Sequence, residues 1–175
     1  MDRETVPVQE HGPDMDIGHP TARDLEALYR VTDRLYYEMA RDCGLSDTAY
    51  WVLYEVVYAG GEASQRDLVQ VLCQSRQTVN SALKALEAKS LIEMGFEEGS
   101  RKCKIVRLTP AGQVFCDAKI VPAMEAEARA FRSLSARDQR ELVRLVGAYA
   151  DAVSHEHEAL HAARMQEKEN EEGER

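Results

Sequence analysis

The sequence predicts a mostly α-helical fold with one small β-hairpin, and three observations support this prediction. Two short amphipathic helices, Ser64 to about Leu72 and Ser75 to Lys89, are separated by a tight polar break. Two short apolar strands follow, near residues 91–94 and 105–108, with a charged turn between them. Long amphipathic segments flank this block on both sides. The order is that of a winged helix-turn-helix with additional N- and C-terminal helices.

The chain begins with a segment that has little helical character. Residues 1–20 hold five acids, one base and three prolines without periodicity, which predicts a disordered acidic arm. A single domain is expected over residues 21–163. Within it, residues 45–112 form the winged core, and residues 21–42 and 113–163 form dimerisation helices. Residues 164–175 are charged and are expected to be a flexible acidic tail.

The second short helix has the composition of a DNA-reading helix. Ser64 and Ser75 are good N-caps for the two helices, and Val79, Leu83 and Leu86 recur at inward-facing spacing. The opposite face is rich in donors and holds no carboxylate before Glu87, so it can contact base edges and phosphates. The candidate contacts from both helices are Ser64, Gln65, Ser75, Arg76, Gln77, Thr78, Asn80, Ser81 and Lys84.

The hairpin after these helices carries positive charge at its tip. Gly99 suits the turn because it tolerates positive φ. Arg101, Lys102 and Lys104 place three cations there, which predicts contact with phosphate or the minor groove. Thr109 and Pro110 then begin a new helix, as cap and first helical residue.

Three long amphipathic helices remain outside the winged core: Ala22 to Arg41, Pro110 to Arg132, and Ala136 to about His161. The last has apolar residues at three- and four-residue spacing, including Leu142, Leu145 and Tyr149. The core does not need this much apolar helix surface, so burial against a second copy of the chain is expected. A monomer that folds these helices back on itself is the alternative.

The net charge of −9 is compatible with binding double-stranded DNA because the charge is unevenly distributed. Residues 64–112 hold eight Lys or Arg against five acids, whereas residues 155–175 hold seven acids against three bases. DNA responds to the local field within a Debye length of ~8 Å, so a basic reading face can coexist with acidic ends.

These elements together resemble the MarR family of bacterial transcription regulators. The resemblance rests on Thr78-Val79-Asn80, Leu86-Glu87, Leu91-Ile92, Arg101-Lys102 and Leu108-Thr109-Pro110-Ala111-Gly112, in that order, and extends over roughly residues 21–160. It implies a homodimeric DNA-binding regulator that acts on a pseudo-palindromic operator, with a small molecule releasing the DNA. Two positions depart from the family pattern: Ser100 stands where an Asp usually precedes the wing arginine, and Ser90 where a Gly usually precedes the Leu-Ile pair.

The aromatic residues are concentrated in one region. Six of the seven tyrosines and the only tryptophan lie between residues 29 and 58. Such rings usually pack in a core or a dimer interface. The resemblance implies another use, because family members bind phenolic effectors between the first two helices and the fifth. The candidate ligand-binding residues are Tyr29, Tyr36, Trp51 and Tyr54, with Arg30 or Arg34 able to hold the carboxylate of an aromatic acid.

The four cysteines show neither paired nor metal-ligand spacing, which predicts free thiols in a reducing compartment. Cys43 at a helix junction and Cys103 between Lys102 and Lys104 are the candidate redox residues. His155, His157 and His161 are expected to lie on an exposed helix face without a metal. No cofactor motif or catalytic constellation is evident, so an enzyme is not expected. No signal peptide or membrane-spanning stretch is evident, so a cytoplasmic location is expected.

Two alternatives to a ligand-responsive repressor remain at the level of sequence. The first is a thiol-based redox sensor with the same fold. The second is a winged-helix module that binds protein and not DNA. The second should expose apolar residues on the Ser75 helix, whereas that helix presents Arg76, Gln77 and Asn80.

Overall fold

A computed structural model of the chain describes residues 19–96 and 103–173, with side chains described as far as residue 167. This part of the chain confirms the mostly helical fold with a small wing. The elements in chain order are α1 (Ala22–Asp42), α2 (Asp47–Tyr58), β1 (Glu62–Ser64), α3 (Gln65–Val71), α4 (Arg76–Ala88), β2 (Ile92–Phe96), β3 (Lys104–Leu108), α5 (Pro110–Lys119), α6 (Val121–Ser133) and α7 (Ala136–Gly173). The predicted N-terminal arm lies outside the described residues except for residues 19 and 20.

Side-chain caps set where the helices of the winged core begin. The Ser64 hydroxyl accepts the Asp67 backbone N–H at 3.0 Å, and the Ser75 hydroxyl accepts that of Thr78 at 3.0 Å. Thr109 does the same for Gly112 at 2.9 Å, and Pro110 follows as the first residue of α5. Each cap pairs an N–H that has no partner inside its helix, and losing one costs about 1 kcal/mol. The predicted starts of these three helices are therefore confirmed.

The sheet has three antiparallel strands in the order β1-β3-β2, and sequence reasoning missed β1. Only three residues long, β1 is too short to show an alternating pattern. It pairs Ala63 with Val106 of β3, and Arg107 donates to Glu62 at 2.8 Å across the two strands. Gly60 and Gly61, with φ of +87° and +102°, turn the chain from α2 into this strand. The strand connects the wing to the entry of the helix-turn-helix.

One buried cluster holds α2, α3, α4, the sheet and α5 together. Tyr50, Leu53 and Val56 of α2 are fully buried, as are Val79 and Leu86 of α4. A side chain of this size contributes about 1.5–3 kcal/mol when it is removed from water. The inward-facing residues expected on α4 are therefore in the core, and α4 is fixed rigidly with its polar face outward.

The segment predicted as one helix from Pro110 to Arg132 is two helices, and that expectation was wrong. Helix α5 ends at Lys119, and α6 begins at Val121 with Pro122 in its first turn. A proline has no backbone N–H and its ring clashes with the carbonyl four residues earlier, so a continuous helix breaks there. Ile120 at the break is fully buried and anchors the junction in the core.

The C-terminal helix is longer than expected. Helix α7 runs from Ala136 to Gly173, past the predicted end near residue 163, so the expected flexible tail is helical from residue 164 to Gly173. The charged composition of this stretch suggested a tail, but its Gln, Glu and Lys residues are good helix formers. No Gly or Pro interrupts the helix between residues 148 and 172. At 1.5 Å per residue the helix is ~57 Å long.

Ser90 occupies the left-handed conformation that follows α4, with φ of +57°. Its N–H reaches the Glu87 carbonyl at 2.8 Å, and the Leu91 N–H reaches the Leu86 carbonyl at 3.1 Å, which is the Schellman pattern that favours glycine. Ser90→Gly is expected to raise the free energy of unfolding by about 1 kcal/mol, because an L side chain is strained there. Urea denaturation measures this gain. Ser81→Gly, inside α4, is the control and should destabilise the chain instead.

Candidate nucleic-acid interface and neighbouring cavity

Helix α4 presents one polar face to solvent. Arg76, Gln77 and Lys84 are exposed, and their side chains make no hydrogen bond or ion pair with any residue that the structure describes. The face that they form holds no carboxylate before Glu87. Their donor groups are therefore available to an external acceptor such as a base edge or a phosphate.

The small hydroxyl residues of the two helices already have hydrogen-bond partners. Ser64 caps the start of α3 and Ser75 caps the start of α4, where the Ser75 and Thr78 hydroxyls lie 2.8 Å apart. The two caps fix the helix N-termini, where backbone N–H groups favour anions. Inside α4, the Ser81 hydroxyl donates to the Gln77 carbonyl at 3.0 Å.

Asn80 and Gln65 contact each other. The Gln65 side-chain amide donates to the side-chain oxygen of Asn80, and both residues are half-buried. This bond joins the first residue of α3 to the middle of α4. Sequence reasoning placed both residues among the DNA contacts. The structure adds a second role, because the pair links the two helices of the helix-turn-helix to each other.

The wing is described up to its tip but not at the tip itself. Lys104 begins β3 and is exposed, whereas Arg101 and Lys102 lie outside the described residues and stay predictions. Arg107 on the same strand is held by Glu62, as described above. The position of Ser100, where the family usually has an acid, also lies outside the described residues.

The aromatic cluster is arranged around the carboxylate of Glu127, a residue that is not among the predicted ligand-binding residues. The Trp51 ring lies 4.7 Å from the Tyr36 ring and 5.2 Å from the Tyr54 ring, measured between centroids. The Tyr36 hydroxyl donates to one Glu127 oxygen at 2.5 Å, and the Tyr54 hydroxyl donates to the other at 2.7 Å. Glu127 of α6 thus ties α1 to α2. In sequence, Glu127 is one of many acids on an amphipathic helix, so no local signal marks it.

Burial and the Glu127 carboxylate both raise the pKa values of the Tyr36 and Tyr54 phenols. Desolvation, the hydrogen bond to Glu127 and the negative charge of Glu127 all raise the pKa of Tyr36 well above its ordinary value. The same three causes raise the pKa of Tyr54. Both phenols therefore remain protonated donors throughout the physiological pH range.

An apolar cavity of about 580 Å³, which we call the large cavity, lies beside this cluster between α1, α6 and α7. Tyr36, Tyr50 and Phe131 supply aromatic walls, and Glu127 supplies the one charged side chain among the described residues that line it. Leu134 and Leu142 form the edge toward α7. The volume and the apolar lining suit a small aromatic molecule.

Only one of the four predicted ligand residues lines this cavity. Tyr36 does, whereas Tyr54 lines a neighbouring cavity of about 480 Å³ between α2 and α6. Trp51 lines a smaller cavity near α3, and Tyr29 lines none of the described cavities. Rings near one another in sequence point in different directions around a helix, so these four residues do not line one common cavity, and their role in ligand binding stays a prediction.

The two arginines expected to hold a ligand carboxylate are not at the large cavity. Neither Arg30 nor Arg34 is among its lining residues, and Arg34 lies 3.8 Å from Glu38 one helical turn away. Both side chains lie on the exposed side of α1.

The structure describes the surroundings of the cysteine thiols, and the redox role of Cys43 and Cys103 stays a prediction. Burial raises the pKa of the Cys43 thiol, which disfavours the reactive thiolate, although Lys119 acts in the opposite direction. Cys116 is fully buried, and desolvation raises its pKa to about 11. Cys103 is half-buried beside β3. Lys102, one of the two lysines on which the hypothesis for Cys103 depends, lies outside the described residues.

Large apolar side chains remain exposed along α1, α6 and α7. They include Leu28 and Leu35 of α1 at 42% and 46% exposure, and Leu142 and Leu145 of α7 at 45% and 50%. The rest of this set is Val31, Tyr37, Phe131, Leu134, Val143, Val146, Val153, Leu160 and Met165. An extended apolar surface of this kind is typical of a protein–protein contact.

The fold and the polar face of α4 define a winged helix-turn-helix protein of the class that binds DNA. Residues 44–102 match the MarR family. The winged core of this chain is therefore similar to that family, and the curated relative that the chain matches is a transcriptional repressor. Over the described residues, no helix combines the length and the hydrophobicity that a membrane crossing requires.

Individual relatives are distant in sequence. The HTH-type transcriptional repressor NicR of Pseudomonas putida is 23% identical over 137 residues, which cover 78% of this chain and 86% of NicR. A MarR family regulator of Listeria monocytogenes, solved with a 26-mer DNA, is 21% identical, with a TM-score of 0.61 over 77% of this chain and 89% of its own. BpsR of Bordetella bronchiseptica, whose DNA binding is regulated by 6-hydroxynicotinic acid, is 20% identical, with a TM-score of 0.58 over 80% of this chain and 99% of its own.

Proposed function

We propose that this regulator is a homodimeric repressor that binds a pseudo-palindromic operator and is released by a small molecule. The observation that carries the proposal is the face of α4, where Arg76, Gln77 and Lys84 are exposed on a helix anchored by Val79 and Leu86. Helix α4 enters the major groove, and its exposed donors contact base edges and phosphates. The wing residues Arg101, Lys102 and Lys104 follow the adjacent backbone.

The exposed apolar surface of α1, α6 and α7 supports the homodimer. Two copies of the same surface can bury it around a twofold axis, and the axis sets the distance between the two α4 helices. Paired reading helices bind half-sites about one turn of DNA apart, so the operator is expected to be pseudo-palindromic. The site of action is the cytoplasm, where the DNA of a bacterial cell is found.

The position of the large cavity supports regulation by a ligand. It is formed by the same helices that carry the exposed apolar surface, and Glu127 connects its wall to α2 of the reading head. A ligand that binds better at one head separation shifts the population away from the DNA-competent state. The name of NicR and the ligand control of BpsR are consistent with repression and release.

The DNA contacts can be tested with single substitutions on α4. Gln77→Ala is expected to reduce discrimination at one base position by ~1–3 kcal/mol, since a bidentate side chain is lost. Arg76→Ala should weaken binding more than tenfold, and Arg101→Ala should lower the salt slope by ~1 for each lost phosphate contact. Fluorescence anisotropy with the upstream DNA of the gene measures all three.

Arg137→Ala, on α7 and with the same change in charge, is the control and should bind like the wild type. Operator binding that is unaffected by all of the α4 and wing substitutions would refute the assigned surface.

The two alternative functions, a thiol-based redox sensor and a protein-binding module, have weaker support. The raised pKa of Cys43 disfavours a sensor based on that thiol. No large apolar side chain of α4 is exposed, as a protein-binding helix would require; the whole of α4 is described.

A further inference from the structure

The large cavity between α1, α6 and α7 has a charge that restricts what it can bind. The Glu127 carboxylate is exposed at its wall and also lines the neighbouring cavity between α2 and α6. No Lys, Arg or His is among the described residues that line the large cavity. An acid bound there would bring a second negative charge close to Glu127, and no cation among the described lining residues would offset the repulsion between the two charges.

The hydrogen bonds of Glu127 leave capacity for a further donor. Each carboxylate oxygen accepts one phenol, from Tyr36 or Tyr54, and a carboxylate has about four acceptor sites in total. Both phenols are committed as donors to Glu127. They therefore hold the carboxylate in a fixed position without neutralising its charge.

The walls of the cavity suit a cation that also carries an aromatic ring. The Tyr36 and Phe131 side chains line the space beside Glu127, and an aromatic ring attracts a cation that lies against its face. Met39 and Leu35 complete an apolar surface for the body of the ligand. A ligand with a positive group could pair with the Glu127 carboxylate, while its aromatic ring packs against the apolar walls.

We propose that the cavity binds a small arylalkylamine in its protonated form, with the ammonium group on Glu127, and that it discriminates against aromatic carboxylic acids. The regulatory consequence rests on the function proposed above: the amine would be the molecule that releases the operator. This ligand class differs from that of BpsR, whose DNA binding responds to a carboxylic acid.

The test uses three probes of matched size on the full chain at neutral pH: 2-phenylethylamine, 2-phenylethanol and phenylacetate. Isothermal titration calorimetry is the primary measurement. Fluorescence of Trp51, the only tryptophan, provides a second one because its ring lies 4.7 Å from the Tyr36 ring. The amine is expected to bind at least tenfold more tightly than phenylacetate, with the neutral alcohol between them.

Glu127→Gln removes the charge and keeps an acceptor oxygen, so it should reduce the preference for the amine over the acid to threefold or less. Glu156→Gln on α7, which removes an exposed charge away from the cavity, should leave the preference unchanged. Circular dichroism and thermal melting show whether each variant is folded. Glu127→Asp, which keeps the charge on a shorter side chain, should retain the preference for the amine.

Equal or tighter binding of phenylacetate by the wild type would overturn the proposal. So would an unchanged preference in Glu127→Gln, or no binding of any probe at 10-millimolar concentration. Operator binding without ligand is measured in parallel. If it persists while the amine preference fails, only the ligand class is wrong. If operator binding fails while the amine still binds, the function proposed above is wrong and the cavity assignment remains.

Discussion

Gly112→Ala is expected to unfold the winged helix-turn-helix or to destabilise it by at least ~3 kcal/mol, the upper end of the usual cost of overpacking. A Cβ at this position would lie 1.8 Å from the Leu91 carbonyl oxygen and 2.8 Å from its carbon. The carbonyl cannot move away easily because it accepts the Thr109 N–H at 3.1 Å. The clash would separate the start of α5 from the end of α4.

Chemical denaturation with circular dichroism measures this effect, and Gly147→Ala is the matched control. Gly147 lies inside α7, and a Cβ there meets nothing within 4 Å in the single chain. The control is expected to stabilise the chain by ~0.5–1 kcal/mol, since alanine loses less entropy in a helix. A Gly112→Ala variant as stable as the wild type would show that α5 does not pack against Leu91 as described.

Replacing Leu142 and Leu145 together by glutamate is expected to convert the regulator to a monomer and to reduce operator affinity by a factor of ~100 or more. The two side chains are about half exposed in the single chain, and a dimer would bury them. Charges buried at a contact without partners are strongly unfavourable. Loss of the second reading head then removes the avidity that linked binding supplies.

Sedimentation velocity gives the mass, and anisotropy with operator DNA gives the affinity. Val114→Glu is the control, because Val114 is 70% exposed on α5, outside the surface formed by α1, α6 and α7. That variant should keep the mass of two chains and bind operator normally. A wild-type chain that sediments as a monomer at micromolar concentration would contradict the homodimer and the palindromic operator with it.

The winged core could be predicted from sequence because its signals are local. Ser64, Ser75 and Thr109 mark the helix starts through their own side chains, and the spacing of Val79, Leu83 and Leu86 marks the inward face of α4. Ser90 departs from the glycine that the family usually has before the Leu-Ile pair, and its positive φ is the local reason that glycine is favoured there. Each of these features depends on residues within one or two helical turns of each other.

Most features that the sequence predicted wrongly or did not predict at all depend on contacts between distant segments. Strand β1 is recognisable only through its pairing with β3, more than forty residues later. Glu127 lies 91 residues from Tyr36 and 73 from Tyr54, so no sequence pattern joins them. The break before α6 did have a local signal in Pro122, which the apolar periodicity on either side outweighed.

The sequence by itself determined the fold class, the family resemblance and the residues on the polar face of α4, because capping and periodicity act within single helices. The tertiary structure alone decided which aromatic residues border the large cavity and what charge they surround. It also showed the hydrogen bond between the side chains of Gln65 and Asn80. Side chains from α1, α2 and α6 meet at Glu127 only after the helices have packed, and helix packing depends on the whole core.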